Sequence, residues 1–255
     1  MTYITPPTQW RSNRAVWLSA AAFLSVLAWL GHRLVFSQFQ DYDDEGYLLI
    51  TVQQFLRGRP VYDQTYTQYG PAYYLWQQVL HSVMGIPVTQ DATRVVTVVV
   101  WLVCAVLIGA IVRLLTKRLL LAAVGTAAAF LHLTQLTFEP GHPQELCLLG
   151  TLGALALTTW RLVTKANIGV AASIGIWFLV AVTALTKINV GAFLAAALTI
   201  GLATSLRRSQ WLAAVERIVL AATMAVVPVL MRDDLLRSDI GAFGIVVWGG
   251  LLPVV

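Results

Sequence analysis

The sequence is short of charge. Of its 255 residues 11% are charged and 58% are hydrophobic, where a soluble domain carries about 25% charged. An ordinary soluble enzyme is thereby excluded. Cysteine is scarce as well. Cys104 and Cys147 both sit inside apolar runs and read as small buried residues, which excludes a disulfide framework and a paired-cysteine zinc site. There is no Asn-x-Ser/Thr acceptor, no low-complexity tract and no clear internal repeat. The P-loop, G-x-G-x-x-G, G-x-S-x-G and HExxH patterns are also missing, so soluble nucleotide chemistry has no carrier in this chain. The net charge of +5 does not point to nucleic acid, because the basic residues flank apolar runs as the positive-inside rule requires.

What the chain has in quantity is apolar helix. The first run, Ala15 to Phe36, exceeds the roughly 7–15 residues of a signal-peptide core. It reads as a retained signal anchor behind a short tail, 1–14, with His32 and Arg33 snorkelling at its far end. Further runs cover Thr93–Val112, Leu119–Thr137, Gln144–Trp160, Gly169–Thr186, Val190–Leu206 and Trp211–Leu230. Gly70–Gly85 is shorter and is interrupted by Gln77, Gln78 and His81, short of the about 20 apolar residues a span needs. We read it as a helix lying in the interface. With that run left uncrossed, 1–14, 113–118, 161–168 and 207–217 fall on one side and hold ten of the seventeen basic residues. That side is the cytoplasm. If Gly70–Gly85 crossed, the last three basic segments would move outside, against the rule. The expected fold is therefore all-α and polytopic, with about seven transmembrane helices in a module over 15–230. The first outer loop, 37–92, carries the juxtamembrane helices. The segment 231–255 returns to an apolar stretch and reads as the approach to further chain, so these residues look like the N-terminal portion of a longer protein. The localisation implied is a plasma membrane, multi-pass, with a cytoplasmic N-terminus.

Polar chemistry concentrates in one place. Residues 41–70 hold Asp41, Asp43, Asp44, Glu45 and Asp63, five of the twelve acids in the chain. A helix is predicted over 44–57, with carboxylates at the positive end of its dipole and Asp41 able to cap it. Leu48, Val52, Phe55 and Leu56 give it one apolar face. A carboxylate held ionised there suits a base that takes a proton from a hydroxyl, and it equally suits a plain solvated helix start. Tyr62, Tyr66, Tyr69, Tyr73, Tyr74 and Trp76 follow. Such residues form the interfacial belt of any membrane protein, and they also stack on sugar rings. Glu139, His142 and Glu145 form a Pro-bracketed turn that could share a proton or meet a divalent cation, although no metal-ligand spacing is matched. Lys187 and Asn189 divide two apolar runs. Snorkelling accounts for such a lysine, and so does a positive charge set for a lipid phosphate.

The order of these pieces resembles the GT-C superfamily of membrane glycosyltransferases, closest to the protein-mannosyltransferase and aminoarabinose-transferase group. The resemblance rests on Asp44-Glu45-Gly46-Tyr47 after the first span, then Tyr69-Gly70-Pro71-x-Tyr73-Tyr74, then Lys187-x-Asn189-Val190-Gly191. It implies transfer of a sugar from a polyprenyl-phosphate donor to an acceptor lipid, glycan or protein on the outer face. Asp44, with Glu45 beside it, maps to the catalytic carboxylate that activates the acceptor for inversion. Lys187 and Asn189 map to the donor phosphate, and Tyr47, Tyr69 and Tyr73 to sugar or acceptor contacts. Glu139 and His142 are the candidates for the polar group of the second outer loop, where the family commonly has an Asp. No metal site is implied, and a divalent cation is left open. The alternatives are a transporter of a lipid-linked substrate, disfavoured by spans nearly free of charge, and a membrane subunit whose outer loop docks a partner.

Overall fold

A computed structural model describes residues 8–37, 45–137, 139–164, 170–205 and 218. Among the described residues there is no strand, and one isolated bridge, Val61 to Thr65, ties off a loop. The helices are α1 (Thr8–Ser37), α2 (Glu45–Leu56), α3 (Pro71–Gln78), α4 (Gln90–Thr116), α5 (Leu119–Leu133), α6 (Pro143–Thr164), α7 (Val170–Thr186) and α8 (Ile188–Ser205). A π-helical turn, Val79–Val83, extends α3, and a 3₁₀ turn, Thr134–Leu136, extends α5.

Four of the described helices are long and apolar enough to cross a membrane: Arg14–Ser37, Gln90–Thr116, Leu119–Leu136 and Pro143–Thr164. The expected spans Gly169–Thr186 and Val190–Leu206 appear as shorter apolar helices. The expected span Trp211–Leu230 lies outside the described residues apart from Ile218. Gly70–Gly85 is not one regular helix. It is eight residues of α3 followed by the π turn, a rod of about 20 Å, too short for an about 30 Å hydrocarbon core.

The chain forms two units, 1–188 and 189–255. In the first, α4 packs against α1, α5 and α6, and α7 packs on α6. Its centre is Trp101, Cys104 and Ala105 of α4, with Leu27, Val35, Phe130, Leu133 and Leu152 around them. Lipid offers no hydrophobic drive between helices, so close backbone approach through small residues does the work. A Cβ on Gly109 would overlap the Thr126 hydroxyl and come 3.0 Å from Ala122 O; one on Gly150 would overlap the Thr183 hydroxyl. Threonine fits these seams because its hydroxyl returns to its own helix, as Thr126 does to Ala122 O and Thr183 to Leu179 O. The turn of Lys117 and Arg118 between α4 and α5 makes them antiparallel neighbours. One end of the bundle therefore gathers the C-termini of α1, α5 and α7 with the N-termini of α4 and α6. In the second unit, α8 carries its own threonine bond, Thr199 to Ala195 O.

The helix expected over 44–57 is α2, and Leu48 and Val52 are buried on the predicted face. That face is covered by protein. Leu48 and Val52 pack with Tyr69, Tyr73 and Tyr74, and Phe55 and Leu56 lie against the same cluster.

Candidate functional site

The site is built at the gathered end by three loop segments that lie far apart in sequence. The first is the Gln68-Tyr69-Gly70-Pro71 turn. Proline at the first position of α3 starts that helix. Gly70 sits directly on the end of α7. Its N–H donates to Thr186 O at 2.9 Å, and a Cβ there would overlap the carbonyl of Leu185. The backbone at Gly70 is extended, φ −78° and ψ 167°, so the glycine is required by contact and not by conformation. This seats the turn beside Lys187, whose own N–H closes the last turn of α7 on Thr183 O.

The second segment is the Glu139–His142 turn. Gly141 holds a left-handed φ of 74°, and its N–H donates to the Thr97 hydroxyl at 2.8 Å and to Glu145 Oε1 at 3.3 Å. The carbonyl of Gly141 accepts from the Tyr73 hydroxyl at 3.2 Å. Burial pushes the Tyr73 phenol well above its ordinary value, so it stays protonated and stays a donor. His142 is buried, and its Nε2 lies 2.9 Å from the Tyr69 hydroxyl. Tyr73, Gln77, His81, Thr93, His142 and Glu145 line a cleft of about 20 Å³, room for one or two waters. A second cavity of about 10 Å³, on the Glu45 side, shares the wall of Tyr73, Gln77, Thr93 and Gly141.

The third segment is the start of α2. Glu45 is buried, and both of its carboxylate oxygens are taken by Arg94 of α4, at 2.8 Å and 3.1 Å. Arg94 also reaches Val35 O at 3.4 Å and covers the Phe36 ring. One guanidinium thus ties together the ends of α1, α2 and α4. Bidentate pairing of this kind is strong and directional.

The expected site residues fare unequally. Asp44, with Asp41 and Asp43, lies outside the described residues. Glu45 is an ion-pair partner and not a free base. Tyr69 and Tyr73 are 5% and 2% exposed, their rings set against His142 and against each other. Neither has an open face for a sugar. Exposed aromatic faces belong instead to Tyr62 and Tyr66, at 62% and 83%; Tyr47, at 38%, donates its hydroxyl to Tyr66 O. Glu139 contributes its backbone to the turn, with its N–H on Leu136 O and its carbonyl accepting from His142 N–H. The carboxylate turned inward is Glu145. Lys187 is half-buried and, among the described residues, has no carboxylate in ion-pair range. Asn189 opens the second unit, exposed, with its side-chain oxygen on Val190 N–H. Among the described residues no three His, Cys, Asp or Glu side chains gather closely enough to hold a metal.

Arg94 was not legible as a site residue. Its only sequence signal is a basic residue one turn inside an apolar helix, where charge requires a partner. Glu145 had a better signal, because it follows the Pro-bracketed turn of Glu139 and His142 at the very start of an apolar helix.

No family model matches the chain, and no curated protein or solved structure matches it either.

Proposed function

We propose that this chain is an integral membrane glycosyltransferase of the GT-C kind. It moves a sugar from a polyprenyl-phosphate donor to an acceptor on the outer face of a plasma membrane. In this reading the gathered end of the bundle faces outward, the N-terminus is cytoplasmic and the module has seven spans. The observation that carries the reading is the seating of Gly70 on Thr186. Gly70, in the second of the three sequence segments behind the resemblance, donates its backbone hydrogen bond to Thr186, the residue just before the third segment and over a hundred residues away. Glu45, from the remaining segment, is locked to the same end by Arg94.

The chemistry follows from the charges. Asp44 takes the proton of the acceptor nucleophile, which attacks the anomeric carbon from the face opposite the phosphate. A bond forms from the acceptor to that carbon. The bond from that carbon to the phosphate oxygen breaks, and the electron pair leaves with the polyprenyl phosphate. Lys187 stands where a positive charge stabilises that leaving group. Glu45, with both oxygens on Arg94, anchors the helix that Asp44 precedes, and the base role falls to Asp44 alone.

The test is native mass spectrometry of the full chain, purified gently from its own membranes, beside Lys187→Ala. Polyprenyl phosphate or its sugar conjugate is expected on the wild type and absent from the variant, and the conjugate names the sugar. Asp44→Asn is expected to keep the lipid and lose transfer. Ordinary phospholipids alone, the same on wild type and Lys187→Ala, overturn the reading and favour a docking subunit.

A further inference from the structure

The end of the bundle away from the site carries its positive charge in a defined place. Arg113 lies in the last turn of α4, Lys117 and Arg118 make the turn into α5, and all three are exposed. Lys117 N–H on Arg113 O and Arg118 N–H on the Thr116 hydroxyl keep them together. Helix register brings a fourth cation level with them. Near the gathered end, Gly141 N–H bonds both the Thr97 hydroxyl of α4 and Glu145 Oε1 of α6. This clasp sets the register of two helices that pack together and run the same way. Sixteen residues further along, α4 reaches Arg113 and α6 reaches Arg161, each about 24 Å from the clasp. Arg161 covers the Trp160 ring at 4.5 Å, and Trp160 is itself exposed, as a tryptophan at a membrane interface is.

Among the described residues no acid answers these charges. The acids there are Glu45, Asp63, Asp91, Glu139 and Glu145, all in the loops and helix starts of the gathered end. Arg94 and Arg113 are nineteen residues apart on α4 with no charge between them. That is about 28 Å of helix, close to an about 30 Å hydrocarbon core, so Arg113 stands at the headgroup layer opposite the site. The surface beside the cations is apolar, with Leu115, Leu119 and Leu120 exposed around the same turn. A soluble phosphate would meet the charges and leave these leucines to water. A lipid with an anionic head satisfies both.

We propose that the turn between α4 and α5 is a headgroup site for an anionic phospholipid of the membrane. The lipid phosphate lies among Arg113, Lys117 and Arg118, flanked by Arg161 on α6, and the acyl chains run along the exposed leucines. Arginine meets a phosphate with two parallel N–H bonds, and lysine adds a point charge. Basic clusters between membrane helices take anionic headgroups in this way. The site stands apart from the sugar-transfer reading, since it needs the bundle in a bilayer and no donor at Lys187.

The test is a lipid competition on the full chain. Protein in detergent, stripped of lipid, is offered equal amounts of phosphatidylglycerol and phosphatidylcholine of the same chain length, and native mass spectrometry counts what stays bound. One basic residue beside an anionic headgroup layer is worth about fivefold in partition. The wild type is expected to favour phosphatidylglycerol by that factor or more, and less so in high salt. Arg113→Gln, Lys117→Gln and Arg118→Gln together should bring the ratio close to parity, and Arg118→Gln alone should lower it part of the way. These side chains are exposed, so the melting temperature should hold in both variants. Removing Arg33, Arg57 and Arg59, three exposed cations elsewhere, by the same change should keep the preference. A wild type without preference, a preference that survives in the first triple variant, or one lost equally in the second, overturns the proposal. So does inorganic phosphate that displaces phosphatidylglycerol at the lipid's own concentration, which would mark a site for a soluble anion. If polyprenyl phosphate is absent from the purified protein while this preference behaves as described, the donor site falls and the headgroup site stands.

Discussion

The two ends of α4 are held in opposite ways. At its N-terminal end, Arg94 binds Glu45 and Val35 O, and Thr97 binds Gly141, partners between 44 and 59 residues away. Tyr69 to His142 and Tyr73 to Gly141 extend the same web over 73 and 68 residues. At its C-terminal end, Thr116 bonds Val112 O, four residues back, and Arg118 N–H bonds the Thr116 hydroxyl. Both of these bonds are local. The apolar helices are alike at both ends, so helix packing does not demand the difference. Buried polar webs are expensive unless complete, and this one joins the Gln68–Pro71 turn, the Glu139–His142 turn and the start of α2. The contrast is the reason the proposed chemistry is assigned to the N-terminal end of α4.

Breaking the ion pair should have the largest effect. Glu45→Gln removes the Glu45 charge from the Arg94 guanidinium, which is only 14% exposed in the pair. Removing one partner of a buried pair costs about 3–5 kcal/mol, and here it also frees the ends of α1 and α2. Thermal unfolding in detergent should show a large drop for Glu45→Gln and for Arg94→Ala. Glu45→Leu combined with Arg94→Leu should recover much of it. If either single variant melts as the wild type does, Arg94 is not the knot of this end. Gly70→Ala comes next. Its φ suits alanine, so the penalty is the overlap with the Leu185 carbonyl alone. Overpacking of that kind costs about 1–3 kcal/mol. The Gly70 amide should then exchange with solvent faster while the α4–α5 amides do not change. Uniform acceleration would mean that the turn is not a separate docking element.

Much of the fold was legible because lipid-compatible runs are long and few. Hydropathy finds the interior of α4 as Thr93–Val112, whereas the helix runs Gln90–Thr116. The difference is physical. Hydropathy reads what tolerates lipid, while the helix continues through polar turns as long as its ends are capped, by the Thr89 hydroxyl on Ala92 N–H and by left-handed Lys117. The π turn at Val79–Val83 left no mark in the periodicity. The site was legible as a list of segments and not as a geometry. Tyr69 and Tyr73 read as surface aromatics because tyrosine suits either place. The spacing of Tyr73, Gln77 and Leu80 on one helix face, all buried, was the available sign that the face turns inward. Nothing in the order of residues pairs Glu45 with Arg94, since a separation of 49 residues is set by the bundle.

The smallest expected effect lies at the plain end and has the opposite sign. Lys117 holds φ 60° and ψ 9°, the left-handed conformation, at the C-terminus of α4. Its N–H closes the helix on Arg113 O, an arrangement that glycine adopts without the Cβ penalty. Lys117→Gly relieves that penalty, worth about 1 kcal/mol, and gives up a favourable charge at the helix C-terminus, worth about 0.3–1 kcal/mol. The balance is a gain of a few tenths of a kcal/mol at most, and Arg113 and Arg118 remain to serve the dipole. A slight rise in the melting temperature, with polyprenyl lipid content and exchange at the Gly70 amide unchanged, is the outcome that fits two independently held ends. If Lys117→Gly altered the exchange of the Gly70 amide, which bonds Thr186 O, strain would be passing down the length of α4, and the two ends would have to be treated as one coupled element.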